Sequence, residues 1–339
     1  MRRTISIVVA ATLAALVGAT IVAALRGRSR PLRVVRGVVE PDDVALFRDR
    51  ATVAAFARRG LDVRVDATSG ETMATADLSA YDFALPADTS VAAEVQHDHH
   101  VTTTYVPFST PVVITASAPD ARLLAAGGIA RRTAGGHWTF DMRRALQPAG
   151  GAPVVRSLDL TSSSAVLYLA LAAYVANGDA VMAGPDRARE LVNAVSPLFL
   201  APATARPSGR ASIAVTSEAQ VVTGADRGTV AMYPDPGTDM KATLVPLTAR
   251  GDAVGRTLLN DPALTQAIGR HGFRAGPVPP GAVDPPGYQT LAAFVATVDD
   301  ALHHAASVAG AGAPAPPSSY PQYYQSSYEV PAGAAGSSG

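Results

Sequence analysis

Apolar runs of strand length alternate with stretches of helical spacing along most of the chain. Residues 32–39 (LRVVRGVV) are dominated by β-branched side chains and predict a strand. In DVALFRDRATVAAFARRG the apolar positions Val44, Leu46, Phe47, Val53 and Phe56 recur at roughly helical spacing, and Gly60 ends the run. LDVRVDA alternates as a strand does, YDFALP reads as a buried strand closed by proline, and STPVVITAS is a β-branched run. VVRSLDL precedes a helix predicted over 164–176, after which ASIAVTS, EAQVVTGAD, GTVAMYP and ATLVPLT follow. This β–α alternation predicts an α/β fold with mostly parallel sheets. In such folds ligands bind beyond the carboxyl ends of strands, where loops lead into helices. The loops in question carry GVVEPDD, TSGET, ADTS, TSSS, SEAQ and PDPGTD.

Two terminal segments break the alternation. Residues 5–25 contain no charged side chain. A run of that length, at ~1.5 Å per residue, spans the ~30 Å of a bilayer core. It predicts an uncleaved membrane anchor; Val17-Gly18-Ala19 is the small-x-small alternative for a cleaved signal. Arg26, Arg28 and Arg30 follow the segment and only Arg2, Arg3 and the amino terminus precede it, so charge counting alone would leave the following domain cytoplasmic. From about Gly310 onward Pro, Gly, Ser, Tyr and Gln dominate without apolar periodicity. That composition cannot bury enough surface to offset its ordering entropy, and predicts a solvated, disordered tail.

Charge and composition narrow the functions. Basic and acidic residues balance at 28 each, with Lys241 the only lysine. There is no basic stripe for a nucleic-acid groove. The absence of cysteine excludes disulfides, thiolate metal sites, cysteine nucleophiles and a lipid-bearing cysteine anchor. No GxGxxG follows a strand, no Walker lysine motif is present, and no GxSxG elbow accompanies the serines. Catalytic residues, metal ligands and cofactors are therefore not expected.

The densest candidate chemistry is Thr161, Ser162, Ser163 and Ser164 at the head of AVLYLALAAYVAN, a helix apolar nearly all round and too short to span a membrane. Thr161 or Ser162 is expected to cap it by accepting from an N–H two or three residues on. The remaining hydroxyls and free N–H groups, with the helix dipole behind them, suit an anion or a strongly polar group. A polar turn with a redundant cap is the alternative. Ser217, Glu218, Ala219 and Gln220 place hydrogen-bonding groups just after a strand, and Thr68, Ser69, Gly70 and Glu71 do the same after another. His97-Asp98-His99-His100 has metal-ligand chemistry, but nothing in the sequence completes a coordination set, and a solvent-facing turn is expected. Trp138, with Phe140 and Met142, is expected to pack the edge of a lobe.

In order and spacing, YDFALPADTSVAAEV, STPVVITAS, DLTSSSAVLYLALAAYVANG, SEAQVV and MYPDPGTDMKATLVPLTARGDAVGRTLLNDPALTQAIGRHGFR resemble the bacterial, especially actinobacterial, extracellular solute-binding proteins with a type II periplasmic-binding fold. The resemblance covers about residues 33–275. It implies two α/β lobes with a ligand cleft between them and crossing strands near Thr110 and at ATLVPLT. The implied organisation is an anchor or signal over 1–30, the first part of lobe 1 over 31–110, lobe 2 over 111–239, the lobe 1 return with C-terminal helices over 240–309, and the tail over 310–339. By position it implies a binding site formed by Gly37, Val38, Ser69, Gly70, Thr161, Ser162, Ser163, Ser164 and Gln220. The implied function is capture of a small polar or anionic solute outside the membrane, for an ABC-type permease, by a monomer that binds no nucleic acid. Relatives carry Gly-Ser-Glu-Lys-like, Gly-Ser-Arg-like and tyrosine-bearing versions of the loops that here read GVVE, TSGE and SEAQ. A hydroxyl and two basic groups are missing from the first lobe. An envelope scaffold or sensor on the same fold is the alternative.

Overall fold

The computed structural model describes residues 31–147, 154–155, 158–199, 211–224, 228–276 and 281–310. The predicted anchor and tail lie outside the described residues. Among the described residues no helix is long and apolar enough to cross a membrane.

The chain opens with β1 (Arg33–Val39), a short 3-10 turn (Pro41–Asp43), α1 (Val44–Arg48), α2 (Arg50–Arg58), β2 (Leu61–Ala67), α3 (Gly70–Thr75), β3 (Phe83–Leu85) and α4 (Thr89–Asp98). β1 pairs in parallel with both β2 and β3. Its alternation sorts side chains to the two faces of this sheet. Val35 and Val39 join Leu46, Phe47 and Phe56 on one face, while Val38 joins Met73 and Val91 on the other. Gly37 sits beneath the Phe83 ring, where any Cβ would collide with it.

β4 (Tyr105–Ala116) then runs out of this region into a second one, formed by α5 (Ala118–Ala126), β5 (Ala130–Arg132), β6 (Trp138–Asp141), α6 (Met142–Ala145), β7 (Val154–Val155), α7 (Ser163–Ala176), α8 (Pro185–Val195), β8 (Ser212–Ser217), α9 (Glu218–Thr223) and β9 (Val230–Asp235). β10 (Asp239–Pro246) returns antiparallel to β4 and also pairs with β3. α10 (Ala249–Asn260), α11 (Pro262–Arg270), β11 (Arg274–Ala275) and α12 (Tyr288–Gly310) complete the chain. The first half of β4 pairs with β10 and β11, and its second half with β8 and β9. β4 and β10 therefore run between the two core regions.

The expectation of mostly parallel sheets is corrected. Among the described residues four strand pairings are parallel and six antiparallel. Sequential β–α–β order does not anticipate that β4 meets β8, β9, β10 and β11 all running against it.

α7 is the centre of the second core. Its residues Leu167, Tyr168, Leu169, Leu171, Ala172 and Ala173 are buried against Ile114, Leu191, Val195 and Ile213. Phe294 and Val298 of α12 enter the same core, while Tyr288 at the head of α12 packs against the first region. Trp138 lies partly buried at the margin, and Phe140 and Met142 are wholly buried.

Candidate functional site

The chain leaves β1 through Glu40, which points inward, and turns through Pro41–Asp43. Glu40 is only 4% exposed and Asp43 3%. Ser163, on the first turn of α7, donates from Oγ to Glu40 Oε1 at 2.9 Å. Gly70 at the head of α3 closes the third side: a Cβ there would lie 3.0 Å from Glu40 Oε1 and 3.7 Å from Ser163 Oγ. Gln220 of α9 reaches across to the same turn, its Nε2 donating to Asp42 Oδ2 at 2.7 Å while its Oε1 accepts from Thr216. The turn after β1 is thus met by Gly70 of α3, by Ser163 at the head of α7 and by Gln220 of α9.

The electrostatics of this meeting point are acidic. Burial pushes the Glu40 carboxyl up to about 7, against the lowering effect of the Ser163 hydroxyl and the Ala87 backbone N–H. Asp43 is held well above the ordinary carboxylate range, first by burial and then by the neighbouring Glu40 and Asp42. Its Oδ2 is buried without a hydrogen-bond partner among the described residues. Asp42 keeps an exposed edge, yet enough protein covers it that burial raises its carboxyl too, against the hydrogen bond from Gln220. Burial also brings Asp88 up to about 6, although the backbone and hydroxyl of Ser90 both donate to it. A void with room for about one water lies among Glu40, Asp42, Asp43, Thr110, Ser217 and Phe108. A larger pocket of about 330 Å³ opens beside it, against Gly70, Asp88, Thr161, Ser163, Tyr288 and Leu291.

The predicted site residues divide. Ser163, Gly70 and Gln220 converge on the GVVEPDD turn. Ser162 occupies the cap position of α7 but makes no cap hydrogen bond; its Oγ instead pairs with Ser164 Oγ at 2.9 Å. Thr161 turns back on Asp159, its Oγ1 donating to Oδ1 at 2.7 Å. The expected hydroxyl cap on α7 is therefore corrected: the two candidates are used in local pairs. Ser69 caps α3 by accepting from Thr72 N at 3.3 Å. Gly37 and Val38 lie within β1, where Phe83 packing and core burial account for them. Ser217 caps α9, and Glu218 is held by Tyr233 and by Arg274, whose Nε and Nη2 both donate to it at 2.8 Å. His97 and Asp98 end α4, His99 caps it, and His100 takes a positive φ of 55°. Among the described residues no cluster of three or more His, Asp or Glu side chains could hold a metal ion.

The resemblance places Glu40 in a cleft-facing loop without assigning it to the site, and Asp42, Asp43 and Asp88 lie in candidate loops without being singled out. The available signal was three carboxylates in four residues directly after a buried strand.

No protein-family model matches the chain, and no curated protein matches it in sequence. Among solved structures it is similar to the sulfate-binding protein SubI from Mycobacterium tuberculosis H37Rv, at 15% identity and a TM-score of 0.46, over 79% of this chain and 99% of that one. It is also similar to the periplasmic molybdate-binding protein of Azotobacter vinelandii, at 12% identity and 0.43, over 72% and 100%. The substrate-binding protein of an ABC transporter from Agrobacterium tumefaciens matches at 12% identity and 0.46, over 81% and 96%. The likeness is one of mixed α/β fold and carries no ligand across to this chain.

Proposed function

We propose that the chain is an extracytoplasmic solute-binding protein, a monomer held to the membrane by residues 5–25, that captures a small polar solute between two lobes. Lobe 1 comprises 31–110 and 240–309, and lobe 2 comprises 111–239. The observation that carries the reading is the convergence of chain segments 123 and 178 residues apart, through Ser163–Glu40 and Gln220–Asp42, beside a pocket large enough for a small molecule. Solute entering this cleft makes contacts to both sides only when they are closed, so binding shifts the population toward the closed form. An ABC-type permease is the partner that would receive it. The role asks for no cofactor and no catalytic residue.

One observation favours a second reading, a scaffold or sensor in the envelope. The contacts across the cleft are already made by the chain's own side chains, so closure does not require a solute.

A thermal-unfolding screen of the purified chain against sugars, polyols, amino acids, amines and oxyanions separates the two. A true solute at about 100 times its dissociation constant adds ~2.7 kcal/mol of stability. At least one class is expected to raise the midpoint in a saturable way. A screen in which no class does so would reject solute capture and leave the second reading.

A further inference from the structure

The bridges between the two regions run through carboxyl groups on the turn after β1. Glu40 and Asp42 belong to the first region, and Ser163 and Gln220, which donate to them, to the second. Ser163 Oγ meets Glu40 Oε1 at 2.9 Å, and the Glu40 side chain is 4% exposed. Nothing cationic lines the void beside it among the described residues. Its own turn presents Asp42 and Asp43, and Asp43 Oδ2 is buried without a hydrogen-bond partner among the described residues. The segment after β3 presents Asp88 and the Ala87 N–H, α3 presents Gly70, and α7 presents Ser163. β4 and β10 bring Phe108, Thr110, Met240 and Ala242, which do not titrate. The basic groups of β10 and β11, Lys241 and Arg274, are paired with Asp284 and Glu218. An ionised Glu40 in this arrangement is a charge kept from water with only two donors to hold it, and withdrawal of the Ser163 side lets water reach it.

Resting on the two-lobed reading above, we infer that Glu40 is a proton-operated clasp: its protonated carboxyl holds the Ser163 side of the cleft closed without a solute, and loss of the proton releases it. The linkage has one sign. Burial in the closed cleft pushes this carboxyl up to about 7, and in an opened cleft, where water reaches it, it returns toward 4.5. Between those limits the closed form holds a proton that the open form has given up. Closure is therefore favoured in full below about pH 4.5 and weakens as pH rises through about 7. The neighbouring carboxyls add to the effect, since Asp42 and Asp88 both disfavour charge on Glu40.

The test is hydrogen–deuterium exchange of the full-length chain in mild detergent, without solute, at pH 5.5 and pH 8.5, with each rate divided by the intrinsic rate at that pH. Segments 37–43, 158–166 and 217–221 report on the cleft, and 108–116 of β4 is the internal reference. Wild type is expected to lose at least about fivefold of its protection in the cleft segments on going to pH 8.5, with 108–116 unchanged. Glu40→Gln keeps an oxygen for Ser163 and has no proton to lose, and is expected to show less than half of that change. A smaller loss in wild type overturns the inference, and so does a Glu40→Gln chain that responds as strongly as wild type. Loss of protection in 108–116 equal to that in the cleft segments also overturns it, because the whole fold rather than the clasp would then be opening. If Glu40→Gln does not fold, Glu40→Leu, likewise without a titrating proton, is read in the same way. A cleft that opens with pH in a chain that no solute stabilises would sustain the clasp and remove solute capture. A solute that raises the unfolding midpoint of a chain whose cleft protection ignores pH would do the reverse.

Discussion

At the scale of single residues, the site is governed by carboxyl groups that folding removes from water. Glu40 rises from 4.5 to about 7 and Asp88 from 3.8 to about 6, each chiefly through burial. Between those limits the folded protein holds protons that the unfolded chain has released, so these groups make stability fall as pH rises. Their favourable share is complete below about pH 4 and is lost as pH passes through the raised values. For Glu40 alone the shift corresponds to on the order of 3 kcal/mol. Glu40→Gln is therefore expected to match wild type in unfolding free energy near pH 4 and to exceed it at pH 8. Denaturant unfolding at the two pH values measures the difference, and a variant less stable than wild type at pH 8 would show Glu40 to be well solvated or well paired. Ser163, Gly70 and Gln220 are legible in the sequence as polar or turn-forming loop positions. The contact of Glu40 with Ser163 and Gly70 is not, because a carboxylate after a strand is as compatible with solvent as with burial. Burial is fixed by the Gly70 turn and α7, which are distant in sequence.

At the scale of elements, α7 shows which patterns are self-explanatory. A helix apolar on every side must be enclosed by protein, and it is. The expected hydroxyl cap does not form because Thr161 and Ser162 pair with Asp159 and Ser164 instead of the helix N–H groups. α7 also encloses one uncompensated group. Tyr168 is wholly buried and its hydroxyl has no hydrogen-bond partner among the described residues. An unsatisfied buried hydroxyl costs about 1–3 kcal/mol, whereas the ring itself is well packed. Tyr168→Phe is expected to raise stability by roughly 1 kcal/mol, read as a higher thermal midpoint. A clear loss of stability would show that the hydroxyl is engaged. β1–β4 and β8–β10 are legible as strands, since β-branched runs and alternation are local, whereas the short β5, β6 and β11 carry no such pattern. Their directions were not: β4 is antiparallel to four partners that the chain delivers before and after long excursions.

At the scale of the whole molecule, β4 and β10 connect two core regions, and the loops that meet beside them make a cleft that the chain's own side chains already bridge. α12 adds a further tie, with Phe294 and Val298 in one core and Tyr288 against the other. In this account a solute works by replacing or extending the Ser163–Glu40 and Gln220–Asp42 bridges, and every change it causes begins at those loops. Hydrogen–deuterium exchange of the full-length chain, with and without the best compound from the unfolding screen, tests that claim most directly. Added protection is expected in 37–43, 68–72, 158–166 and 217–221, the segments that meet at the Glu40–Asp42 turn. Protection confined instead to the separate pocket of about 220 Å³ around Tyr233, Gly237 and Arg274 would contradict it and move the binding site to the far side of the crossing strands.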